Sequence, residues 1–364
     1  MSSTEPASLR PGWDYLVGEI DLLPGGHPFR AEVRALLERY HDPTRLDDLL
    51  RKAPGYDVDL WAELGRRGWL GLESVSDLAV LLQELGRARV PTPIQNGLVQ
   101  ASAAVGGAHH LPGGRVALCR PGAACRWTAG DHVVVEGVIR FVPYADSADV
   151  LLVAADGPDG GVSLLAIDPS APGVTCHPAV SIAGDRQAEI RLDGVSVGVD
   201  RFIGRPGQAS SGLARAALVG TVALCAEMVG ASAALIERTV ERARTRVQFG
   251  APIGTLQAVQ HRCADMAIDH LAAVGAVDEA VRRLDADRDA EIEVAAAKAL
   301  CGAACQRVAA SAHQVWGGTG YLADAGLHHW TRLIKGAEPM LGGGRHHRQR
   351  LAALLRARDA WSTH

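Results

Sequence analysis

The sequence predicts an α+β multidomain protein: a helical N-terminal region, then a small β-barrel or sandwich, then a C-terminal four-helix bundle. Three observations predict it. Apolar residues recur at three- and four-residue spacing over the first third, short β-branched runs fill the middle, and long helical periodicity returns after Gly207. At 364 residues, 48% of them apolar, the chain exceeds what one core usually serves, so several packed units are expected.

The expected divisions are 1–112, 113–206 and 207–364. In the first, Leu60, Leu64 and Leu70, then Leu78, Leu81, Leu82 and Leu85, mark helix faces. Pro91, Pro93, Gly97, Gly106, Gly107 and Pro112 interrupt that pattern. Strands are expected at Val133 to Val135, Val150 to Val153 and Leu164 to Ile167. In the third division a helix is expected over about 209–246, with Leu218, Val222, Cys225 and Val229 on one face. A second follows the Gly250-Ala251-Pro252 break and carries Leu256, Val259, Cys263, Met266 and His270. A third, alanine-rich, covers about 288–316 and stops at Gly317-Gly318; the last covers about 344–360.

Composition excludes several function classes. A net charge of -4 gives no electrostatic reason for nucleic acid or an anionic membrane as partner. No run of about 18 apolar residues and no basic-then-apolar leader is present, which predicts a cytoplasmic protein without membrane insertion. Seven cysteines, an odd number, predict reduced core thiols. Cys301 and Cys305 share a helix face without a second ligand pair, and the adjacent pairs His109-His110, His328-His329 and His346-His347 are expected to point to different sides, so no metal site is expected. Gly342 to Arg348 reads as a basic turn at a helix start. No P-loop, dinucleotide fingerprint or nucleophile elbow occurs.

Two short motifs carry the chemistry. Arg246-Val247-Gln248-Phe249-Gly250 falls where a helix ends, followed by Pro252, Ile253 and Gln257; Gln314-Val315-Trp316-Gly317-Gly318-Thr319-Gly320-Tyr321 falls where the alanine-rich helix ends. Taken alone, the first is an arginine favoured by the helix dipole plus a glycine cap, and the second a helix stop. An arginine fork also matches phosphate oxygens, and paired glycines let backbone amides approach a phosphate or ribose. In this order, with helical sequence between them, the motifs resemble the acyl-CoA dehydrogenase family. Weaker likeness extends over Leu60-Trp61, Leu64-Gly65 and Gly68-Trp69, over Gly137 to Val153 and over Val195 to Gly204.

The resemblance implies a flavoprotein oxidoreductase of lipid or steroid metabolism. It would perform α,β-dehydrogenation of an acyl-CoA thioester and pass electrons to an acceptor flavoprotein. It implies FAD shared across a subunit interface. Arg246 would contact the pyrophosphate of FAD held mainly by a neighbouring subunit, with Gln248, Phe249 and Gln257 beside the adenosine half. Gln314, Gly317, Gly318 and Gly320 would lie against the same cofactor, and Trp316 stands where histidine is commoner.

The reaction needs a carboxylate to remove the α-proton while the flavin takes the β-hydride. The family's usual glutamate position falls on Leu341 and its alternative position on Gly220, and neither residue accepts a proton. Glu227 and Glu338 are the nearest carboxylates that could be recruited. The Cys119 to Cys125 loop lacks the family's Thr-Glu pair, and Phe141-Val142-Pro143 puts a proline, without N–H or hydroxyl, where a threonine would face the flavin. The expected role is therefore the base-less partner of a catalytic acyl-CoA dehydrogenase subunit in a heterotetramer, as in actinobacterial steroid side-chain degradation. The alternatives are a homo-oligomeric enzyme with Glu227 or Glu338 as base, and an FAD-free acyl-CoA-binding pseudoenzyme.

Overall fold

The computed structural model describes residues 26–120, 125–129 and 132–361. The start of the expected helical region and Pro121 to Ala124 of the loop reading lie outside the described residues. The N-terminal helices are α1 (Pro28–Tyr40), α2 (Leu46–Arg51), α3 (Val58–Arg66), α4 (Val75–Ala88) and α5 (Ala101–Val105), the last entered through a wide helical turn at Ile94–Gln100. Local chemistry sets their starts. The Asp57 carboxylate accepts the N–H groups of Asp59 and Leu60, and Ser74 accepts that of Asp77.

Strands β1 (Val116–Cys119), β2 (Arg126–Ala129), β3 (Val133–Pro143), β4 (Val150–Asp156), β5 (Val162–Ile167), β6 (Val174–Val180), β7 (Arg186–Val197) and β8 (Phe202–Ile203) form one sheet. Its order is β6-β7-β3-β2-β4-β5-β8, with β1 running parallel beside β4. The three expected strand runs lie within β3, β4 and β5. The β3–β7 ladder shifts register between Ile139 and Val142, so Arg140 and Phe141 bulge outward, Phe141 at φ 58° and 71% exposed.

The C-terminal helices are α6 (Ser210–Thr245), α7 (Gln257–Asp285), α8 (Glu291–Trp316), α9 (Leu327–Ala337) and α10 (Gly344–Trp361). The four long ones match the expected spans within a few residues. The short α9 lies outside those spans and packs on the bundle through Leu327, Leu333 and Ile334. Helix α6 is long and apolar enough to cross a membrane, yet 94% of its most apolar window is buried against protein.

One hydrophobic core joins the N-terminal and C-terminal helices directly, running from Leu64, Leu81 and Leu85 through Val222 and Val229 to Val277, Val308 and Ile334. A separate core of Val135, Ile139, Val153, Leu165 and Ile190 fills the β region. Helices α4 and α6 touch backbone to backbone. A Cβ on Gly86 would lie 2.2 Å from the Glu227 carbonyl oxygen, and one on Gly230 would lie 1.9 Å from that of Gln83. That crossing fixes where the middle of α6 presents its side chains.

Candidate functional site

A cleft of about 820 Å³ opens where the bulged end of β3 and the β6–β7 turn face the end of α9 and the Ile94–Gln100 segment. Gln100, Arg120, Phe141, Pro143, Met340 and Leu341 are among its lining residues. A smaller cavity of about 90 Å³ continues from it, sharing Asn96, Pro143 and Met340 and reaching Tyr144, Asp185 and Glu227.

Leu341 and Gly220 meet beside this cleft. The Leu341 Cδ1 lies 3.1 Å from the point where a Gly220 Cβ would sit, and Gln100 Cγ closes to 2.6 Å of the same point. Leu341 takes a left-handed φ of 56° in the turn after α9, and the His347 Nε2 reaches its carbonyl oxygen at 3.0 Å. A chain of hydrogen bonds surrounds the pair. Arg120 Nε donates to Gln100 Oε1 (2.7 Å), Gln100 Nε2 to Gln95 Oε1 (2.8 Å), and Gln95 Nε2 to the Gly220 carbonyl (3.2 Å). Burial lowers the Arg120 guanidinium to about 10, and its Nη2 is buried with no partner among the described residues.

Glu227 and Glu338, the two recruitable carboxylates, are placed differently. Glu227 faces the smaller cavity, where burial first and the neighbouring Asp185 second push its carboxyl up to about 7. Asp185 is itself held by the buried Arg89, 3.2 Å away, and Arg89 opposes part of the rise. The Tyr144 hydroxyl is buried nearby without a partner among the described residues, and burial raises its phenol well above the usual range. Glu338 instead accepts the Gly344 N–H at 2.8 Å, capping α10, and lines neither cavity. Gln100, Tyr144 and Asp185 were not candidates in the sequence, because nothing in their local pattern marks a residue that a distant segment will enclose.

The two motifs lie together elsewhere, at the far ends of α6 and α8. Val247–Gln248 (β9) pairs antiparallel with Ala251–Pro252 (β10), and the turn between them leaves Phe249 94% exposed. Arg242 joins the motifs, donating to Thr319 Oγ1 at 2.6 Å with its guanidinium 4.5 Å from the Trp316 ring centre. Arg246, Gln248, Gln257, Gln314, Gly317 and Gly318 are at least partly exposed, and Gly320 is buried. None of these residues, nor Phe249, lines the cleft.

The paired histidines correct one expectation. Rings of neighbouring residues do meet: the His109 and His110 ring centres are 4.0 Å apart, as are those of His328 and His329. A residue step of about 100° on a helix still lets two large rings touch. With Asp47, the latter pair brings three possible ligand atoms within 4.8 Å of one another. Burial, adjacent His328, and the cationic Arg89 and Arg332 lower His329 to about 4, a setting that opposes a metal cation. The cysteines are all free, with Cys301 and Cys305 buried.

The model for the acyl-CoA dehydrogenase C-terminal domain matches residues 214–355. The chain is 26% identical over 340 residues to acyl-CoA dehydrogenase IpdE2 of Mycobacterium tuberculosis, covering 88% of this chain and 94% of that protein. The C-terminal region thus matches the acyl-CoA dehydrogenase C-terminal domain, and nearly the whole chain is similar to an acyl-CoA dehydrogenase. Among solved structures it resembles a chain of a variant of the Tcur3481-Tcur3483 steroid acyl-CoA dehydrogenase (26% identity, TM-score 0.80, covering 91% of this chain and 98% of that one). It also shares its fold with a chain of the ChsE4-ChsE5 complex from Mycobacterium tuberculosis (23% identity, TM-score 0.82, covering 90% and 96%).

Acyl-CoA dehydrogenases are FAD-dependent, and the motif end of this chain has features that suit the dinucleotide part of such a cofactor. Buried Arg242 Nε, Trp316 Nε1 and His313 Nδ1 have no partner there among the described residues. Nothing lies within 4 Å of a Cβ position on Gly250, Gly317 or Gly318, so the backbone there is open to close approach, while the Gly317 N–H is already given to the His313 and Gln314 carbonyls. The cleft fits the reacting half less well. It has room, but Pro143 offers no N–H or hydroxyl, and no carboxylate among the described residues lines the large cavity.

Proposed function

We propose that this chain is the non-catalytic subunit of a heteromeric acyl-CoA dehydrogenase, completing an FAD site whose reacting half belongs to a catalytic partner chain. One observation carries the reading. Leu341 and Gly220 meet beside a cleft whose larger cavity contains no carboxylate among the described residues, whereas the motif residues stand outside that cleft with unsatisfied donors around them. The structural relatives, ChsE4-ChsE5 and Tcur3481-Tcur3483, each pair two differently named chains, which is in keeping with it.

In this arrangement Arg246 would pair with the pyrophosphate, Gln248, Phe249 and Gln257 would flank the adenosine half, and Gln314, Gly317, Gly318 and Gly320 would approach from α8. The flavin, when bound, supplies the acceptor for the β-hydride. This chain's residues hold and orient; the base comes from the partner. The substrate is an acyl-CoA thioester of lipid or steroid metabolism, and the electrons leave to an acceptor flavoprotein.

The test is flavin content. The chain alone should purify nearly colourless, and co-expression with its catalytic partner should give a yellow complex that acyl-CoA bleaches. About one flavin per chain in the isolated protein would overturn the reading.

A second reading rests on Glu227. Its carboxyl titrates near neutrality inside the cavity that continues from the cleft, as a general base should. A homo-oligomer using Glu227 would bind flavin unaided and reduce it with acyl-CoA.

A further inference from the structure

Arg242 and Arg246 stand one turn apart at the end of α6 and on the same face, the Arg246 N–H donating to the Arg242 carbonyl at 2.8 Å. Neither guanidinium has a carboxylate partner among the described residues. Partial burial first and the neighbouring Arg246 second lower the Arg242 guanidinium from its ordinary value. Like charges at this spacing repel unless an anion joins them.

The helix dipole accounts for basic residues in a last turn, but a charge serving only the dipole stays in water. Arg242 does not. Its guanidinium lies 4.5 Å from the Trp316 ring centre, and its Nη2 donates to Thr319 Oγ1 at 2.6 Å, which in turn donates to the Trp316 carbonyl at 2.7 Å. Nη2 is thus engaged and Nε is enclosed, which leaves Nη1 as the edge of the fork open to a ligand. Trp316, standing where histidine is commoner, becomes the platform that holds this fork. The backbone that follows it, Gly317 and Gly318, has nothing within 4 Å of a Cβ position and admits a bulky group.

Two fixed guanidinium groups without an acid between them are an incomplete interaction, and an anion carrying two charged groups side by side would complete it. We propose that Arg242 and Arg246 form a clamp for a nucleoside diphosphate, each taking one phosphate, with Trp316 and Thr319 fixing the Arg242 fork. The inference rests on the reading that the motif end completes a dinucleotide site. It adds to that site a second cation and a preference, for a diphosphate over a monophosphate. No bond is made or broken.

The test is calorimetric titration of ADP and of AMP, without divalent cation, into the full chain. ADP should bind at least about tenfold more tightly, the scale of one charge-assisted contact. Arg242→Met should bring the two nucleotides within about threefold, and Arg242→Lys should restore part of the gap. Thr319→Val cuts the tie between the motifs but keeps the charge, so most of the preference should remain. A preference that survives Arg242→Met, equal binding or no binding of the two nucleotides, or a loss in Thr319→Val as large as in Arg242→Met would overturn the clamp; the last would make Arg242 a brace between the motifs. In the co-expressed complex Arg242→Met should also weaken FAD retention by about tenfold. A yellow complex that loses flavin with Arg246→Ala but not with Arg242→Met sinks the clamp alone, whereas a colourless wild-type complex sinks the shared-site reading.

Discussion

The Cδ1 of Leu341 lies 3.1 Å from the point where a Cβ on Gly220 would sit, although a third of the chain separates them. The two positions from which the family resemblance would draw a base thus converge on one spot. There the chain has a methyl group and a hydrogen, braced by Gln100.

Leu341→Ala should therefore affect packing rather than chemistry. Leu341 is half-buried against the helical core, so its truncation should cost about 1–2 kcal/mol, below the range for a fully enclosed leucine. Denaturant melts of the isolated chain would read this. Acyl-CoA-dependent flavin reduction by the complex should stay within about twofold, and a loss of general-base scale, about a hundredfold, would put Leu341 at the reacting atoms.

Glu227→Gln separates the two functional readings. The folded Glu227 carboxyl titrates at about 7, well above an ordinary glutamate. Its protonated form is the favoured one in the fold, so the stability it contributes is present at low pH and is lost as pH rises to about 7. Glu227→Gln should remove this loss and gain on the order of 1–3 kcal/mol over wild type above neutrality. Melting temperatures taken from mildly acidic to mildly alkaline pH would show the wild-type curve falling away from the variant. In the complex, flavin reduction should persist; a drop of about two to four orders of magnitude would instead make Glu227 the base.

Arg246→Ala should leave the isolated chain's melting temperature unchanged, since the side chain is exposed. In the complex it should weaken FAD retention by roughly 1.5–3 kcal/mol, the scale of a charge-assisted hydrogen bond. Flavin absorbance after gel filtration at low protein concentration reads the loss directly. Unchanged flavin content would remove the shared-site model.

Gly230→Ala should be severely destabilising, because the new Cβ would lie 1.9 Å from the Gln83 carbonyl oxygen and force α4 off α6. Gly275, also within a helix, has nothing within 4 Å of its Cβ position. Gly275→Ala should be neutral or stabilising by up to about 1 kcal/mol. A pair of thermal melts distinguishes backbone contact from mere helix propensity.

Sequence by itself determined the order of helical, strand and helical regions, the four long C-terminal helices, and the absence of a carboxylate at positions 220 and 341. Periodicity is local, and residue identity at a motif offset needs no coordinates. It did not mark α9 or most of the strands. Strand β6 is largely exposed and β1 is buried throughout, so neither shows the alternation that identifies a half-buried strand. Only the tertiary structure decided that Glu338 caps α10 while Glu227 enters a cavity, because two glutamates on helices look alike until packing removes water from one of them. It likewise decided that Arg120 faces an acid-free cleft, since whether a charge finds a counter-ion depends on which distant segments enclose it.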